Sequence, residues 1–392
     1  MLSIDQARDA VLAHARPLAG EDVAAAEALG RVLAQDVTAP VDLPPFANSA
    51  MDGFAIRSGP SGRRLTIAGE SRAGTPADRA LDDGEAIRIS TGAMLPAGAD
   101  AVIQIELVDE DGDTIVVGDD VSPGRNVRMA GEDVRAGTVV LRAGMPLGPA
   151  ALAMAASAGC PILRCARRPR VAILATGDEL VEPGAPLGPG QIHESNAPML
   201  AALAQQAGAE VRSRVVGDDR DATISAVREA LDGADLLVLS GGVSVGPHDH
   251  VKPALAANDV EEVFWRVALR PGKPTWFGVR DSDRTLVLGL PGNPVSAYVT
   301  FVLFAAPALA ALQGADPRAK VRAAKLAVAV ERHADRDECM RVRIDADGRA
   351  TPTGPQGSHM LSSLLQADGL AVVPAGTGAL AAGTEVAILP LR

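Results

Sequence analysis

Three short segments carry the residue types that bring backbone amides close to an anion. They are Thr176-Gly177-Asp178-Glu179-Leu180, Ser240-Gly241-Gly242-Val243-Ser244-Val245-Gly246 and Pro291-Gly292-Asn293-Pro294. Each follows a short apolar run: Val171–Ala175, Asp235–Leu239 and Leu286–Leu290. Glycine lets successive N–H groups turn toward one ligand, and a helix that starts after the loop adds its positive end. A single loop of this kind serves equally as a tight turn. Three of them at strand ends of one sheet point to phosphate. The candidate phosphate-binding residues are therefore Thr176, Gly177, Ser240, Gly241, Gly242, Ser244, Gly246, Pro291, Gly292 and Asn293. There is no GxxxxGK[ST], and no GxGxxG opens a βαβ unit, which disfavours a P-loop ATPase and a Rossmann dehydrogenase.

An anion needs positive charge. Arg266 and Arg270 lie four residues apart in Val263–Arg270, and Lys273 follows in Arg270-Pro271-Gly272-Lys273-Pro274. If Val263–Leu269 is a strand, alternation puts both arginines on one face and Val267 and Leu269 on the other. The planar guanidinium fork suits an oxyanion. Solvated charge at a strand end is the competing reading.

Carboxylates form a second set. Asp178, Glu179, Asp218, Asp219 and Asp249 fall in or beside the same loops, Asp52 sits in Asn48–Gly53, and Asp133 ends Gly131-Glu132-Asp133. Carboxylates beside phosphate imply a hard divalent cation, Mg²⁺ first. Taken singly, each is as well a turn or capping residue. His248 and His250 flank Asp249, too few for a transition-metal site.

The elements that must position these residues follow from length and pattern. At 392 residues the chain exceeds one core, so two to four domains are expected. Residues 1–42 read as mostly helical, with a capping box at Ser3-Ile4-Asp5-Gln6 and Ile4, Ala7 and Val11 on one side. From 46 to 140, short β-type runs alternate with Gly-rich turns: Arg64–Ala68, Glu85–Ser90, Ala101–Val108 and Thr114–Val117. A helical patch spans Gly148–Ala158. Strands and helices alternate from 167 to 315, with Asn196 as a cap for a helix at Met199–Ala207 and Ile224, Val227 and Leu231 on one helix face. After 316, Leu326–Val330, Met340–Ile344, Leu370–Val373 and Val386–Leu389 read as strands.

The expected fold is α/β and multidomain. A central doubly wound, mostly parallel sheet domain (167–315) is flanked by a small β-rich domain (46–140), a helical/extended linking domain (1–45 plus 141–166) and a C-terminal β-barrel-like domain (316–392). A net charge of −12 argues against non-specific attraction to nucleic acid or anionic lipid. Three cysteines without CxxC spacing exclude a zinc cluster. No secretory segment is evident, and no apolar run reads as long enough to span a bilayer without interruption, so a cytoplasmic protein is expected.

The chain resembles the molybdopterin molybdenumtransferases, the MoeA and gephyrin E-domain family. The resemblance rests on Pro44–Ala55, Ser90-Thr91-Gly92-Ala93, Gly131-Glu132-Asp133, the Thr176–Leu180 loop, Ser240–Gly246, Leu269–Pro274, Gly289–Pro294 and Gln356-Gly357-Ser358-His359. It implies that adenylylated molybdopterin and molybdate bind together, molybdenum is inserted, and AMP leaves with the help of Mg²⁺. By position, Asp52, Thr91, Asp133, Glu179, Asp218 and Asp249 resemble the catalytic polar residues, with Glu179, Asp218 and Asp249 nearest the metal. Arg266, Arg270, Lys273, Arg341 and Ser358 resemble the molybdate-binding set. Domain 167–315 would bind molybdopterin. The resemblance further implies a homodimer whose active site is shared between subunits, so that Asp52, Thr91 and Asp133 act in trans. A separate molybdopterin adenylyltransferase would supply substrate and acceptor molybdoenzymes would take product. Arg266 and Arg270 stand where relatives carry Lys, and Phe54 where many carry Tyr. Two alternatives stay open: the preceding adenylylation step of the same pathway, and a catalytically weak scaffold of this fold.

Overall fold

The computed structural model describes residues 1–242, 250–318 and 321–391. Its centre is a six-stranded sheet: β1 (Arg170–Thr176), β2 (Glu210–Val216), β3 (Leu236–Ser240), β4 (Val260–Trp265), β5 (Trp276–Arg280) and β6 (Leu286–Leu290), in the order β2-β1-β3-β6-β5-β4. The first four of that order run parallel, and β5 and β4 close the sheet antiparallel. The central strands β1, β3 and β6 are almost wholly apolar because both faces are covered, whereas β2 at the edge carries Glu210, Arg212, Ser213 and Arg214. Val171, Ile173 and Ala175 of β1 face one cluster with Leu236 and Val238 of β3 and Leu286 and Leu288 of β6. The intervening Ala172, Leu174, Leu237, Leu239 and Val287 face the other. Helices Ile4–Leu12, Asn196–Gln206 and Pro294–Leu312 cover the first face, and Arg220–Leu231 and Val251–Ala256 the second.

Around this sheet the chain builds two further β units. In the 46–140 region six strands pair in the order Ala101–Gln104, Gly53–Ile56, Glu85–Ile89, Arg64–Ser71, Thr114–Val117, Val108–Asp111. In the C-terminal region Asp337–Ile344, Arg349–Pro352, Arg322–Leu326, Glu385–Pro390 and Gly369–Val373 pair in a ring, the last returning to the first. The expected barrel-like form is therefore closed by hydrogen bonds.

Gly53 shows why the Met51-Asp52-Gly53 segment ends in glycine. A Cβ there would lie 1.9 Å from the Ile103 carbonyl oxygen on the neighbouring strand. Backbone cannot give way as a side-chain tip can. Gly53→Ala is expected to cost about 2–3 kcal/mol, read as a lower urea midpoint, and an unchanged midpoint would contradict this packing.

Several sequence expectations are corrected. Residues 1–42 hold one α-helix, Ile4–Leu12, with the expected capping box. Beyond it Gly20–Ala24 pairs with Ile162–Ala166 and Val37–Thr38 with Val139–Leu141. The alanine-rich Ala24–Ala28 has helix propensity but makes only a short 3₁₀ turn, because partners more than a hundred residues away claim the backbone beside it. Val263–Leu269 is not one strand: β4 stops at Trp265, and Arg266 turns the chain with φ +75°. Leu269–Arg270 then pairs with Asp337–Glu338. Ala101–Val108 breaks at Gln104, and Leu326–Val330 divides between two pairings. Asn196 is the first helical residue rather than a cap. Finally, Pro294–Leu312 is long and apolar enough to cross a membrane (mean hydropathy 2.0), contrary to expectation, but 72% of it is buried within the protein core.

Candidate functional site

β1 is the switch strand of the sheet. The chain leaves it for β2 on one side, then returns to place β3 on the other, so the connections diverge at the strand ends and leave a crevice. A polar cleft of about 690 Å³ occupies that position. It is lined by Thr176, Gly177 and Glu179 after β1, Asp218 after β2, Ser240, Gly241 and Gly242 after β3, and Gly292 and Asn293 after β6. Nine of the sequence-nominated residues thus converge from four strand ends.

Consecutive positive φ values at Gly241 (+89°) and Gly242 (+63°) curl the loop after β3. A Cβ on Gly242 would meet Val251 Cγ2 at 2.3 Å and Thr176 Oγ1 at 2.9 Å, so the close packing of two loops requires glycine. Asn196 ties the loops together. Its amide donates to Ser240 Oγ at 2.8 Å and to the Gly292 carbonyl at 2.7 Å. Asn196 Oδ1 and Thr176 Oγ1 are buried at the cleft with no hydrogen-bond partner among the described residues. Buried polar atoms left without partners are costly unless a ligand completes them.

Among the acids, Asp178 accepts from the Asp218 amide at 2.8 Å and fixes the loop after β2. Glu194 is buried and accepts from the Asn196 and Ala197 amides at 2.7 and 2.8 Å, securing the start of the helix Asn196–Gln206. The side chains of Glu179 and Asp218 are exposed at the cleft, with no hydrogen bond or ion pair to described residues. Two carboxylates with no described partner beside a glycine-rich cleft would fit Mg²⁺ if phosphate were bound there, since the ion takes one or two carboxylates and completes its shell from phosphate and water. Among the described residues no three acidic, His or Cys groups form a preformed metal cage.

The basic set is arranged differently. Arg341 is fully buried on Asp337–Ile344, with Met340 and Val342 packed in the barrel cluster on the other face. Its Nη2 donates to the Pro355 and Gly357 carbonyls at 3.2 Å each, while Nε and Nη1 have no partner among the described residues. Burial pulls its pKa below the ordinary arginine value, against the opposing pull of Glu338. The Ser358 carbonyl then accepts from Val295 at the start of the helix Pro294–Leu312, and His359 lines the cleft. The loop 355–359 therefore runs from the buried guanidinium to the cleft wall. Arg270 is half-exposed and 3.6 Å from Glu338. Lys273 is exposed in a turn packed on the same helix through Gly272 and Thr300. Arg266 instead stacks on Trp265, 3.9 Å from the ring centre, and does not share a face with Arg270. None of these five lines the cleft directly.

The remaining nominations fall elsewhere. Asp52 and Thr91 adjoin in the β-rich unit, the Thr91 amide donating to Asp52 at 2.8 Å, and Asp133 is exposed there too. All three are absent from their own chain's cleft. Pro291 is buried behind the cleft wall. Ser244, Gly246, His248 and Asp249 lie outside the described residues. Sequence reasoning missed His193, Glu194 and His359, and gave Asn196 too small a part. The polar run His193-Glu194-Ser195-Asn196 before a helix was the available signal.

One prediction belongs to this scaffold. Asn196→Ala strands the Ser240 hydroxyl and the Gly292 carbonyl, and is expected to cost about 1–3 kcal/mol. Denaturant unfolding with an unchanged midpoint would contradict that bracing role.

Fold and cleft together define a multidomain α/β protein with a glycine-rich crevice at the switch point of its sheet. Three family descriptions match the chain: "MoeA N-terminal region (domain I and II)" over residues 2–159, "Probable molybdopterin binding domain" over 172–311, and "MoeA C-terminal region (domain IV)" over 323–391. The molybdopterin molybdenumtransferase of Haemophilus influenzae is 38% identical, over 100% of this chain and 99% of its own. Molybdopterin molybdenumtransferase 2 of Mycobacterium tuberculosis is 39% identical over 93% of both. The crystal structure of the molybdopterin biosynthesis MoeA protein of Pyrococcus horikoshii superposes with a TM-score of 0.86 at 31% identity, covering 99% of both chains. The chain belongs to the molybdopterin molybdenumtransferase (MoeA) family, transferases of molybdenum cofactor biosynthesis.

Proposed function

We propose that this chain inserts molybdenum from molybdate into adenylylated molybdopterin and releases AMP. The observation that carries this reading is the convergence of three Gly-rich strand ends and two unengaged carboxylates, Glu179 and Asp218, on one cleft. The loop amides and Thr176 Oγ1 would hold the diphosphate, and Asn196 would supply a carbonyl oxygen to a donor group of the pterin or nucleotide. Glu179 and Asp218, with Asp249, would hold Mg²⁺, and the ion would supply positive charge against the phosphates when bound. Arg270, Lys273, Arg341 and Ser358 would receive molybdate, with Arg266 in a supporting position. Arg341 offers two N–H-bearing nitrogens that no described residue satisfies, and its fork suits a tetrahedral oxyanion.

The cleft is incomplete within one chain by this reading. Asp52, Thr91 and Asp133 are exposed on a separate β unit, which suits action across a homodimer. The protein would work in the cytoplasm, take its adenylate from a separate adenylyltransferase and pass its product to acceptor molybdoenzymes.

The direct test is AMP release from adenylylated molybdopterin by purified protein, with and without molybdate. Molybdate-stimulated release is expected. Release at background, or adenylate formation from ATP and molybdopterin instead, would overturn the assignment. Sharing between subunits has its own test. Asp52→Asn and Glu179→Gln are each expected to be inactive alone, and mixed dimers to recover up to about half the activity per mixed dimer, since one of two sites is intact. No recovery on subunit exchange would place Asp52 and Glu179 in one chain's site rather than across the dimer, and full activity of Asp52→Asn alone would place Asp52 outside the reaction.

A further inference from the structure

The cleft sits at the ends of the strands, and a second concavity of about 440 Å³ sits at their beginnings. It is lined by Arg16, Arg167, Arg170 and Arg284, with His14, Asp235 and Asp283 among the other wall residues. Arg170 opens β1 and Thr176 ends it, so the two cavities lie about 20 Å apart along the strand. None of these residues belongs to the transfer chemistry described above.

The charges in this cavity do not cancel. Arg167 forks onto Asp235, 2.8 Å to each oxygen, so that pair is closed. Asp283 accepts from the amide and hydroxyl of Thr285 and lies 3.7 Å from Arg280. The guanidiniums of Arg16 and Arg170 make no ion pair or hydrogen bond to described residues. Arg284 donates to His14 Nδ1 at 3.0 Å. A guanidinium only donates, so Nδ1 is the lone-pair nitrogen and Nε2 carries the proton. His14 is thus a neutral donor inside a basic wall. Burial, then Arg284 and Arg16, holds its pKa below the ordinary value.

Arginines at this end of a sheet often neutralise helix C-termini. Arg212 does so, donating to the carbonyls of Glu229, Ala230 and Asp232. Arg16 and Arg170 do not. Four guanidiniums face two lining carboxylates, and although Glu21 and Glu210 also act on Arg167 from beyond the wall, Arg16 and Arg170 keep no paired carboxylate among the described residues. Uncompensated charge of one sign in a concave wall concentrates the opposite ion.

We propose that this cavity is a second anion site, separate from the cleft, for a tetrahedral dianion. Arg16, Arg170 and Arg284 would contact its oxygens, and His14 Nε2–H would donate a further bond. The volume falls in the range of small-molecule sites, so the dianion is either free phosphate or the phosphate of a small phosphomonoester.

The histidines provide site-specific probes. His14 reports this cavity, and His193 and His359 report the cleft. Ring ¹⁵N signals, with His14 assigned by its loss in His14→Gln, are followed while inorganic phosphate is added at constant ionic strength set with chloride. A saturable shift of His14 is expected. The Arg16→Gln/Arg170→Gln double variant is expected to weaken that response at least about tenfold, with the unfolding midpoint and the His193 and His359 titrations unchanged. Glycerol 1-phosphate in place of phosphate separates the two sources: tighter binding assigns a phosphomonoester, and equal binding a free oxyanion. No saturable His14 shift with either ligand, a chloride titration that reproduces it, or an unchanged affinity in the double variant would each overturn the proposal.

Discussion

Glu179→Gln and Asp218→Asn are each expected to slow AMP release by at least about a hundredfold, close to 3 kcal/mol in the barrier, while the unfolding midpoint stays within about 0.5 kcal/mol of wild type. The two halves of that expectation have separate causes. Both side chains are exposed and make no hydrogen bond or ion pair to described residues, so the fold loses little when they are neutralised. Both face the cleft where the phosphate charge must be offset, and an amide of the same shape no longer supplies an anionic oxygen to a hard cation. Raising Mg²⁺ is expected to recover part of the loss in Asp218→Asn, because a weakened site fills at higher concentration. Asp178→Asn should behave differently: it removes the bond to the Asp218 amide and disturbs the loop rather than the charge. Wild-type turnover in both Glu179→Gln and Asp218→Asn would mean the cation sits elsewhere.

Arg341→Met is expected to remove at least half of the stabilisation by molybdate. A ligand at about a hundred times its Kd stabilises the native state by about 2.7 kcal/mol. Wild-type protein should show that gain in thermal unfolding with molybdate, and the variant no more than about 1.4 kcal/mol, with half-saturation for molybdate in turnover raised at least about tenfold. The variant without ligand should stay within about 1 kcal/mol of wild type. It gives up two bonds to the Pro355 and Gly357 carbonyls but no longer buries a charge with two nitrogens unpaired. Full molybdate stabilisation in Arg341→Met would remove this residue from the oxyanion site and leave its buried charge without a function.

The parts of this fold that were legible in sequence are those decided by local pattern. β1, β3 and β6 hold the uninterrupted apolar runs Val171–Ala175, Leu236–Leu239 and Leu286–Leu290, and a sheet covered on both faces accommodates that. The loops behind β1 and β3 carry glycines in positive φ, Gly177, Gly241 and Gly242, which backbone conformation demands and sequence displays. The illegible parts were decided by partners distant in the chain. Gly20–Ala24 is a strand only because Ile162–Ala166 lies beside it. Arg266 falls out of register with Arg270 because Leu269–Arg270 leaves the central sheet for Asp337–Glu338. Asn196 looked like a cap, yet its amide spans to Ser240 and Gly292, 44 and 96 residues on. Arg341 was nominated from resemblance alone, and what distinguishes it, full burial with two unpaired nitrogens, is a property of packing.

A crystal structure with AMP and molybdate bound together tests the central claim most directly. The account predicts the AMP phosphate against the Gly241–Gly242 turn and Thr176 Oγ1, with the oxyanion at the 355–359 loop in contact with Arg341 and Lys273, both opening into one cleft. Phosphate bound away from those strand ends, or molybdate on a surface that does not connect with it, would contradict the account.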